Sequence, residues 1–260
     1  MEDFAVVNEN LRCALAAFSG IGAAGRVELR DGFQLVYSGV PFGLFNTVNL
    51  TRAPQPGELD QFLRQAEEWY APLNTAWSVW FCDDLMNPVQ RRFSRVVLAT
   101  AGLRQTNDAP GMLAHELLPP GRRLPAIECR RVTDNHTRLD FALVMSAAFQ
   151  VPDEMARAVY CSRLLWAGEM EGWVAYAEKT AVSTAAIVAG GGSIGVYAVG
   201  THPRFQRKGY GEALVRHAVD AASRRTGIRR TVLQSSTMGY KLYSRMGYRQ
   251  AGRFLVYLRD

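Results

Sequence analysis

A basic loop with two glycines, Gln206–Gly211, is the segment whose residue types and spacing point most directly to chemistry, and it reads Gln-Arg-Lys-Gly-Tyr-Gly. Glycine lets a ligand approach the backbone closely, and consecutive backbone N–H groups in such a loop can point toward an anion. The pattern is neither a Walker phosphate loop, which needs Gly-Lys-Ser/Thr, nor the Gly-x-Gly-x-x-Gly of dinucleotide-binding folds. The residues therefore predict a site for a phosphate-bearing ligand of another class.

A predicted strand precedes this loop and a predicted helix follows it. Ser193–Val199 is short and rich in β-branched and aromatic residues, which is typical of a strand. Glu212–Thr226 carries apolar residues at helical spacing and ends before Gly227, a common helix stop signal. The N-terminus of that helix adds partial positive charge beside the loop, which strengthens the prediction of an anion site.

A second strand and a short helix follow farther along the chain. Thr231–Ser235 is predicted to be the strand, and the segment after it contains a tyrosine and a Gly-Tyr step. With these segments the chain resembles the GNAT superfamily of acyl-CoA-dependent N-acetyltransferases over about residues 126–260. That family has a [Gln/Arg]-x-x-Gly-x-[Gly/Ala] loop between a strand and a helix, then a strand, a short helix with a tyrosine, and a Gly-[Phe/Tyr] step into the final strand. The residues that fall at those places, in the same order, are Gln206, Gly209, Gly211, Tyr243, Gly247 and Tyr248.

The resemblance implies acetyl-CoA as cofactor and direct transfer of its acetyl group to the amine of a small-molecule or amino-acid-like acceptor. It implies a backbone N–H near Val199 as donor to the thioester carbonyl, and Tyr243 as the catalytic donor to the departing thiolate. Proton transfer from a tyrosine of pKa near 10 to a thiolate near 8.5 is uphill by about 2 kcal/mol, so we expect Tyr243 to act chiefly by hydrogen bonding. The residues implied to bind the cofactor are Tyr197, Ala198, Val199, Gln206, Arg207, Lys208, Gly209, Tyr210, Gly211, Glu212 and Ser235.

The general base is not evident from the sequence, because the predicted strand before the loop carries no carboxylate, whereas some relatives have a glutamate there. Three residues near strand ends are candidates, with a water relay as the alternative: Glu169, Glu171 and His202. Three aromatic residues are candidates for the wall of an acceptor pocket, with core packing as the commoner role: Trp166, Trp173 and Tyr240.

The first half of the chain repeats the order helix, strand, helix, strand. These predicted elements are Pro56–Tyr70, Ala76–Phe81, Val89–Ala101 and Met112–Leu117. No matching loop precedes the first of these helices, and Leu98 stands where the second half has Tyr243. The sequence therefore predicts a mixed α/β fold with two GNAT-like domains, a degenerate one over residues 1–120 and a catalytic one over 126–260.

Proline and glycine, which interrupt helices and strands, are concentrated in Leu118–Pro125, and we therefore place the boundary between the predicted domains there. The remaining predicted elements of the second half are a strand at Ala126–Val132, helices at Asn135–Gln150 and Asp153–Ala167, and a hairpin of Trp173–Glu178 with Ala181–Ala189.

Composition limits the classes of protein to consider. The 260 residues are 48% hydrophobic, contain no apolar run long enough for a membrane span, and begin without the basic region of a signal peptide, so a cytoplasmic protein is expected. The four cysteines and four histidines are scattered, and we expect no metal site. Residues 201–260 contain 13 Arg and Lys against 3 Asp and Glu, which fits an anionic cofactor better than nucleic acid.

Several alternatives stay open from the sequence. The protein could be a non-catalytic acyl-CoA-binding sensor, a tandem-GNAT aminoacyltransferase that uses charged tRNA, or a protein acetyltransferase. An intact loop argues against the tRNA-dependent class, because relatives of that class tend to lose it. No membrane or nucleic-acid partner is expected, and the chain is predicted to be a monomer or a homodimer.

Overall fold

The computed structural model describes residues 2–259, which form eight α-helices and eleven strands. The helices are α1 Asp3–Ala17, α2 Glu58–Tyr70, α3 Pro88–Thr100, α4 Asn135–Phe149, α5 Asp153–Tyr160, α6 Arg163–Ala167, α7 Tyr210–Thr226 and α8 Thr237–Arg245. The strands are β1 Arg26–Arg30, β2 Phe33–Tyr37, β3 Thr47–Leu50, β4 Trp77–Cys82, β5 Arg104–Ala114, β6 Glu128–Arg131, β7 Met170–Ala177, β8 Thr180–Gly190, β9 Ser193–Thr201, β10 Thr231–Gln234 and β11 Arg249–Arg259.

All of these strands belong to one mixed sheet, and the mixed α/β fold predicted from the sequence is confirmed. The strand order is β1-β2-β3-β4-β11-β5-β10-β9-β8-β7-β6. The neighbours β3 and β4 are parallel, as are β9 and β10, whereas the other neighbouring strands are antiparallel. Parallel neighbours need a crossover, and α2 and α7 supply the two crossovers of the sheet.

The two ends of the sheet repeat one pattern. In each, antiparallel strands are followed by a parallel pair of strands, then by a helix and a long final strand. The final strands are exchanged: β5 lies between β11 and β10, and β11 lies between β4 and β5. Thus Phe254 of β11 is opposite Cys82 of β4 on one side and Ala109 of β5 on the other. Strands on the two sides of the predicted boundary between residues 120 and 126 pair with each other, so one sheet continues through both predicted domains.

Helices cover both faces of the part of the sheet that contains β8 and β9. α7 packs its buried residues, among them Leu214, Val215 and Ala218, on one face. α1 and α4 lie over β8 and β9 in a different core cluster, which joins Val7 and Leu11 of α1 to residues of α4 and the sheet. The first helix of the chain is therefore part of the core around β9.

Local signals explain where several helices begin. Asn87 and Gln90 form reciprocal side-chain-to-backbone hydrogen bonds at the start of α3, and Asp134 and Thr137 do the same at α4. In α2, one stripe of apolar residues is buried, as its spacing predicts: Leu59, Phe62, Leu63, Ala66 and Tyr70.

Two elements differ from the sequence prediction. The helix predicted over Asp153–Ala167 is divided into α5 and α6, because Ser162 is extended, with φ −62° and ψ 127°, and the Trp166 indole donates to the Tyr160 carbonyl at 2.8 Å. The strand predicted over Met112–Leu117 is instead β5, which starts earlier, at Arg104, and ends at Ala114. Its polar first residues gain strand partners from β11, a pairing that local patterning does not reveal.

None of the helices between residues 2 and 259 is long and apolar enough to cross a membrane.

Candidate functional site

The strands β9 and β10 diverge and leave an opening in the sheet. They pair at two positions, Thr231 with Ile194 and Val232 with Gly195. β9 then continues as far as Thr201, while the last residues of β10 pair only with β5. From Val196 onward, the edge of β9 that faces β10 therefore has backbone groups without a neighbouring strand, as an extended ligand arm would require.

β9 contains a bulge within this unpaired stretch. Its register against β8 shifts between Tyr197 and Gly200, and Ala198 has a left-handed backbone with φ 45°. The hydroxyl of Thr184 on β8 donates to the Ala198 carbonyl at 3.1 Å and accepts from the Gly200 N–H at 3.2 Å. A left-handed alanine costs about 1 kcal/mol or more, and such cost is concentrated at functional sites. The bulge turns the backbone near Val199 out of the regular ladder.

The N-terminus of α7 lies just after the end of β9 and has free backbone donors. Its N-cap is Gly209, with φ 96°, and no side chain caps the helix. The first helical N–H with a backbone acceptor is that of Ala213, which donates to Gly209 at 3.0 Å. Within the described chain, the N–H groups of residues 210–212 have no hydrogen-bond acceptor, so they are free to donate to an anion, as the anion site predicted from the loop requires.

The segment that leads into this helix start carries cations that form no ion pair in the described part of the chain. Arg207 and Lys208 are exposed, and neither they nor Arg204 form an ion pair within residues 2–259. Farther along α7, by contrast, each arginine has a carboxylate partner: Arg216 pairs with Glu212, Arg224 with Asp220 and Arg225 with Glu171. The positive charge at the helix start is thus left uncompensated by the protein, which suits a phosphate-bearing group.

Three residues predicted to bind cofactor, Gln206, Gly211 and Glu212, have roles within the protein itself. Gln206 donates its Nε2 to the Thr201 carbonyl at 3.2 Å and thereby fixes the loop to β9. A Cβ on Gly211 would lie 2.9 Å from the Thr201 hydroxyl, so this glycine is needed for packing rather than for approach of a ligand. Glu212 is 9% exposed and pairs with Arg216, which leaves only its backbone N–H free.

The side chain of Tyr197 points away from the loop, into the core under α1. Its hydroxyl donates to Asn10 Oδ1 at 2.6 Å, and burial raises its pKa well above the usual value. Asn10 is fully buried, and its Nδ2 contacts the carbonyls of Val188, Gly190 and Ser193 at 3.2, 2.8 and 3.0 Å. Sequence reasoning missed Asn10, because an asparagine in the first helix gives no signal of partners more than a hundred residues away.

The side chains of Tyr243 and Ser235 both lie close to Gly239 in the first turn of α8. Tyr243 is 7% exposed, its ring centroid is 5.6 Å from that of Tyr248, and burial raises its pKa. A Cβ on Gly239 would lie 2.9 Å from Tyr243 Cε2 and 3.3 Å from Ser235 Oγ. The Ser235 hydroxyl donates to the Ser236 carbonyl at 2.8 Å, and the Ser235 N–H donates to Pro110 at 2.9 Å. The two side chains are therefore neighbours at the C-terminal end of β10.

The three candidate bases are not equivalent. Glu171 pairs with Arg131 at 3.4 Å and with Arg225 at the distant end of α7, and Glu169 is exposed. His202 follows β9, accepts from the Arg204 N–H at 3.3 Å and lines a cavity of about 500 Å³. Asp140 and Asp153 also line this cavity, which contains neither the bulge nor the loop.

The three aromatic candidates for an acceptor wall are engaged in packing. Trp166 donates to the Tyr160 carbonyl, Trp173 lies edge-on to His217 with ring centroids 4.9 Å apart, and Tyr240 packs against the α7 core cluster. Among residues 2–259, no group of His, Cys, Asp and Glu side chains is arranged to hold a metal ion.

The start of α2, which corresponds in the first half to the start of α7, is occupied by side chains of the protein itself. α2 begins at Gly57, whose φ of 79° matches the left-handed N-cap of α7. There Glu58 accepts from the Gln55 N–H at 2.7 Å and from Arg52 at 2.7 Å, and these bonds, that to Arg52 foremost, lower its pKa to about 2. A carboxylate of the protein thus neutralises the cation beside this helix start, whereas in the first turn of α7 the Glu212 carboxylate pairs with Arg216, and Arg207 and Lys208 form no ion pair among residues 2–259.

Comparisons with known proteins agree with this geometry. Residues 169–250 match the family model described as "Acetyltransferase (GNAT) domain". A GCN5-related N-acetyltransferase from Kribbella flavida is similar in structure, with a TM-score of 0.71, 17% identity, and coverage of 96% of this chain and 95% of that chain. A GCN5-related N-acetyltransferase from Sphaerobacter thermophilus has a TM-score of 0.58 and 16% identity over 89% of this chain and 81% of its own.

A third similar structure is a tandem GNAT protein from the clavulanic acid biosynthesis pathway, with a TM-score of 0.60 and 11% identity over 92% of this chain and 84% of its own. No curated protein matches the sequence. Identities this low establish a shared fold, while the family-model match covers the segment that contains β9, the loop and α8.

Proposed function

This chain carries an acetyltransferase (GNAT) domain in its C-terminal half, and from that premise we propose that it transfers an acetyl group from acetyl-CoA to the amine of a small-molecule or amino-acid-like acceptor. The observation that carries the proposal is the opening between β9 and β10, which leads directly to the uncapped start of α7. An extended thioester arm fits the opening, and a diphosphate fits the helix start.

The chain's first task is to hold the cofactor. Backbone N–H groups of residues 210–212 receive the diphosphate, with Arg207 and Lys208 as charged neighbours. Gly209 permits the left-handed turn that aims these amides. Tyr197, Ala198 and Val199 line the arm through their backbone, since the side chain of Tyr197 is held by Asn10. We assign Ser235, which directly follows β10, to the wall of the opening that receives the arm.

The second task is to stabilise the charge that develops during transfer. Bound acetyl-CoA supplies the reactive thioester. The bulge at Ala198 frees a backbone N–H near Val199 to donate to the carbonyl oxygen, and preorganised donors of this kind contribute about 3 kcal/mol. Thr184 holds the bulge through two hydrogen bonds, so this donor costs little to position during the reaction.

Tyr243 donates a hydrogen bond to the leaving sulfur. Burial raises its pKa, so its hydroxyl keeps its proton more strongly than an ordinary tyrosine. Outright proton transfer to a thiolate is then still more unfavourable than the unperturbed pKa values imply. Tyr243 therefore stabilises the thiolate by hydrogen bonding, and solvent completes its protonation.

Two measurements test the proposed function. Calorimetric titration with acetyl-CoA should detect one binding site per chain, and incubation with radiolabelled acetyl-CoA and a library of amines should yield labelled product. Binding without transfer to any amine would identify an acyl-CoA sensor instead. If the protein binds tRNA with strong salt dependence and does not bind CoA, an aminoacyltransferase becomes the better assignment.

A further inference from the structure

The segment that joins the two halves passes beside the start of α7. A Cβ added to Gly209 would lie 3.2 Å from Nη2 of Arg122 and 3.1 Å from Cδ of Pro125. We propose that Arg122 belongs to the cofactor site and binds the diphosphate of CoA together with the free amides of α7. The identity of the ligand rests on the proposed function, while the position and charge of Arg122 are properties of the chain.

Arg122 is available for such a contact. Its side chain is exposed and forms no ion pair within the described residues, and its one hydrogen bond is a 3.5 Å contact of Nη2 with the Arg207 carbonyl. A guanidinium has five N–H donors in a planar fork, which matches phosphate oxygens in two-point contacts. One long contact leaves most of these donors free toward the helix start.

The surrounding charges favour an anion at this point. Arg122 contacts the backbone of Arg207, so Arg122, Arg207 and Lys208 lie on the two segments that meet at the helix start, and none of the three forms an ion pair within the described residues. A phosphate group bound at the helix start gains from this uncompensated positive charge. A diphosphate carries enough negative charge to neutralise two of the three cations.

The joining segment is anchored on both sides of Arg122, so the arginine is positioned before the ligand arrives. On one side, the Leu118 N–H donates to the Met246 carbonyl at 2.9 Å, and Arg216 donates to the Leu118 carbonyl at 2.6 Å. On the other side, Leu124 and Pro125 pack against Gly209. Fixing both ends lowers the entropy that is lost when Arg122 engages a ligand.

The test compares Arg122→Gln with Arg123→Gln, its exposed neighbour in the same segment, by calorimetric titration with CoA and with 3′-dephospho-CoA. We expect Arg122→Gln to weaken binding of both compounds about tenfold, the order expected for one charge-assisted hydrogen bond at a partly exposed site. Arg123→Gln should bind both compounds within about twofold of the unsubstituted chain, because it removes the same charge without the contact. Thermal unfolding without ligand should be unchanged in both variants, which excludes a folding defect.

Three results would overturn the proposal. Equal affinities for the two variants would mean that Arg122 makes no specific contact. Weaker binding of CoA with unchanged binding of 3′-dephospho-CoA would move Arg122 to the 3′-phosphate. If the unsubstituted chain binds neither compound, the proposed function fails as well, whereas normal binding by both the unsubstituted chain and Arg122→Gln rejects only the role of Arg122.

Discussion

Replacing Asn10 by alanine should destabilise the protein far more than its position in the first helix suggests. The Asn10 side chain bonds three backbone carbonyls of the second half and accepts from the Tyr197 hydroxyl. Asn8, two residues earlier and 5% exposed, makes one hydrogen bond, from its Nδ2 to the Leu50 carbonyl at 3.2 Å. Asn8→Ala is therefore a matched control.

The magnitude follows from the partners that each substitution leaves behind. A buried hydrogen bond contributes about 1 kcal/mol net, and a buried group left without a partner costs about 1–3 kcal/mol. Asn10→Ala removes the side-chain donor to carbonyls at both ends of the β8–β9 turn and leaves the buried hydroxyl of Tyr197 without its partner, so we expect a loss of about 3–5 kcal/mol in the free energy of unfolding. Asn8→Ala should cost about 1 kcal/mol.

Urea denaturation at constant pH measures both values, with the slope of the transition as a check on two-state behaviour. Tyr197→Phe and the double variant complete a mutant cycle that isolates the contact between the two side chains. Tyr197 directly precedes the bulge. We therefore expect the substitutions of the cycle to lower the rate of acetyl transfer as well, and to change the affinity for CoA less. Equal losses for Asn10→Ala and Asn8→Ala would refute this account of how the two halves are connected.

Three further predictions concern the site itself. Gly209→Ala and Gly227→Ala both place alanine at positive φ, 96° and 74°, at opposite ends of α7, so each should lose about 1 kcal/mol of stability, but only Gly209→Ala should weaken CoA binding measured by calorimetry. Thr184→Val removes the hydroxyl that holds the bulge and should lower the transfer rate about tenfold at unchanged CoA affinity; an unaffected rate would remove the bulge from the mechanism. Tyr243→Phe should bind CoA normally and turn over at least about tenfold more slowly, and steady-state kinetics with full activity would reject its role as hydrogen-bond donor.

Much of the C-terminal fold could be predicted because its signals are local. The loop, the stripe of apolar residues on α7 and the Gly-Tyr step lie within one stretch of sequence, and the structure has them in that order. The exchange of β5 and β11 between the two halves of the sheet could not be predicted. Both strands are long and follow a similar helix, and the sequence of each allows pairing with either half. Packing across the whole sheet decides which of the two strands pairs with which half, and local sequence patterns carry no information about that packing.

The site was predictable to a similar degree. The uncapped helix start follows from the glycine at position 209, and the loop's dependence on backbone amides was expected from its residue types. The bulge at Ala198 was not evident, because alanine is an ordinary strand residue and its left-handed backbone is imposed by Thr184 on a neighbouring strand. The assignments of individual site residues, the small amine acceptor, the cytoplasmic location and the monomeric or dimeric state stay predictions.

The first half has a physical role even though its own helix start is closed by Glu58 and Arg52. Its last strand, β5, pairs with the edge of β10 opposite to β9, and its first helix holds β9 through Asn10. The first half thus holds β10 along the edge away from the ligand opening, and holds β9 through the helix that packs over it. A gap between two strands is a weak point in any sheet, because unpaired edges tend to close on each other. Fixing each strand by contacts of its own allows the gap to persist without a ligand, so the first half supplies the rigidity that the opening itself lacks.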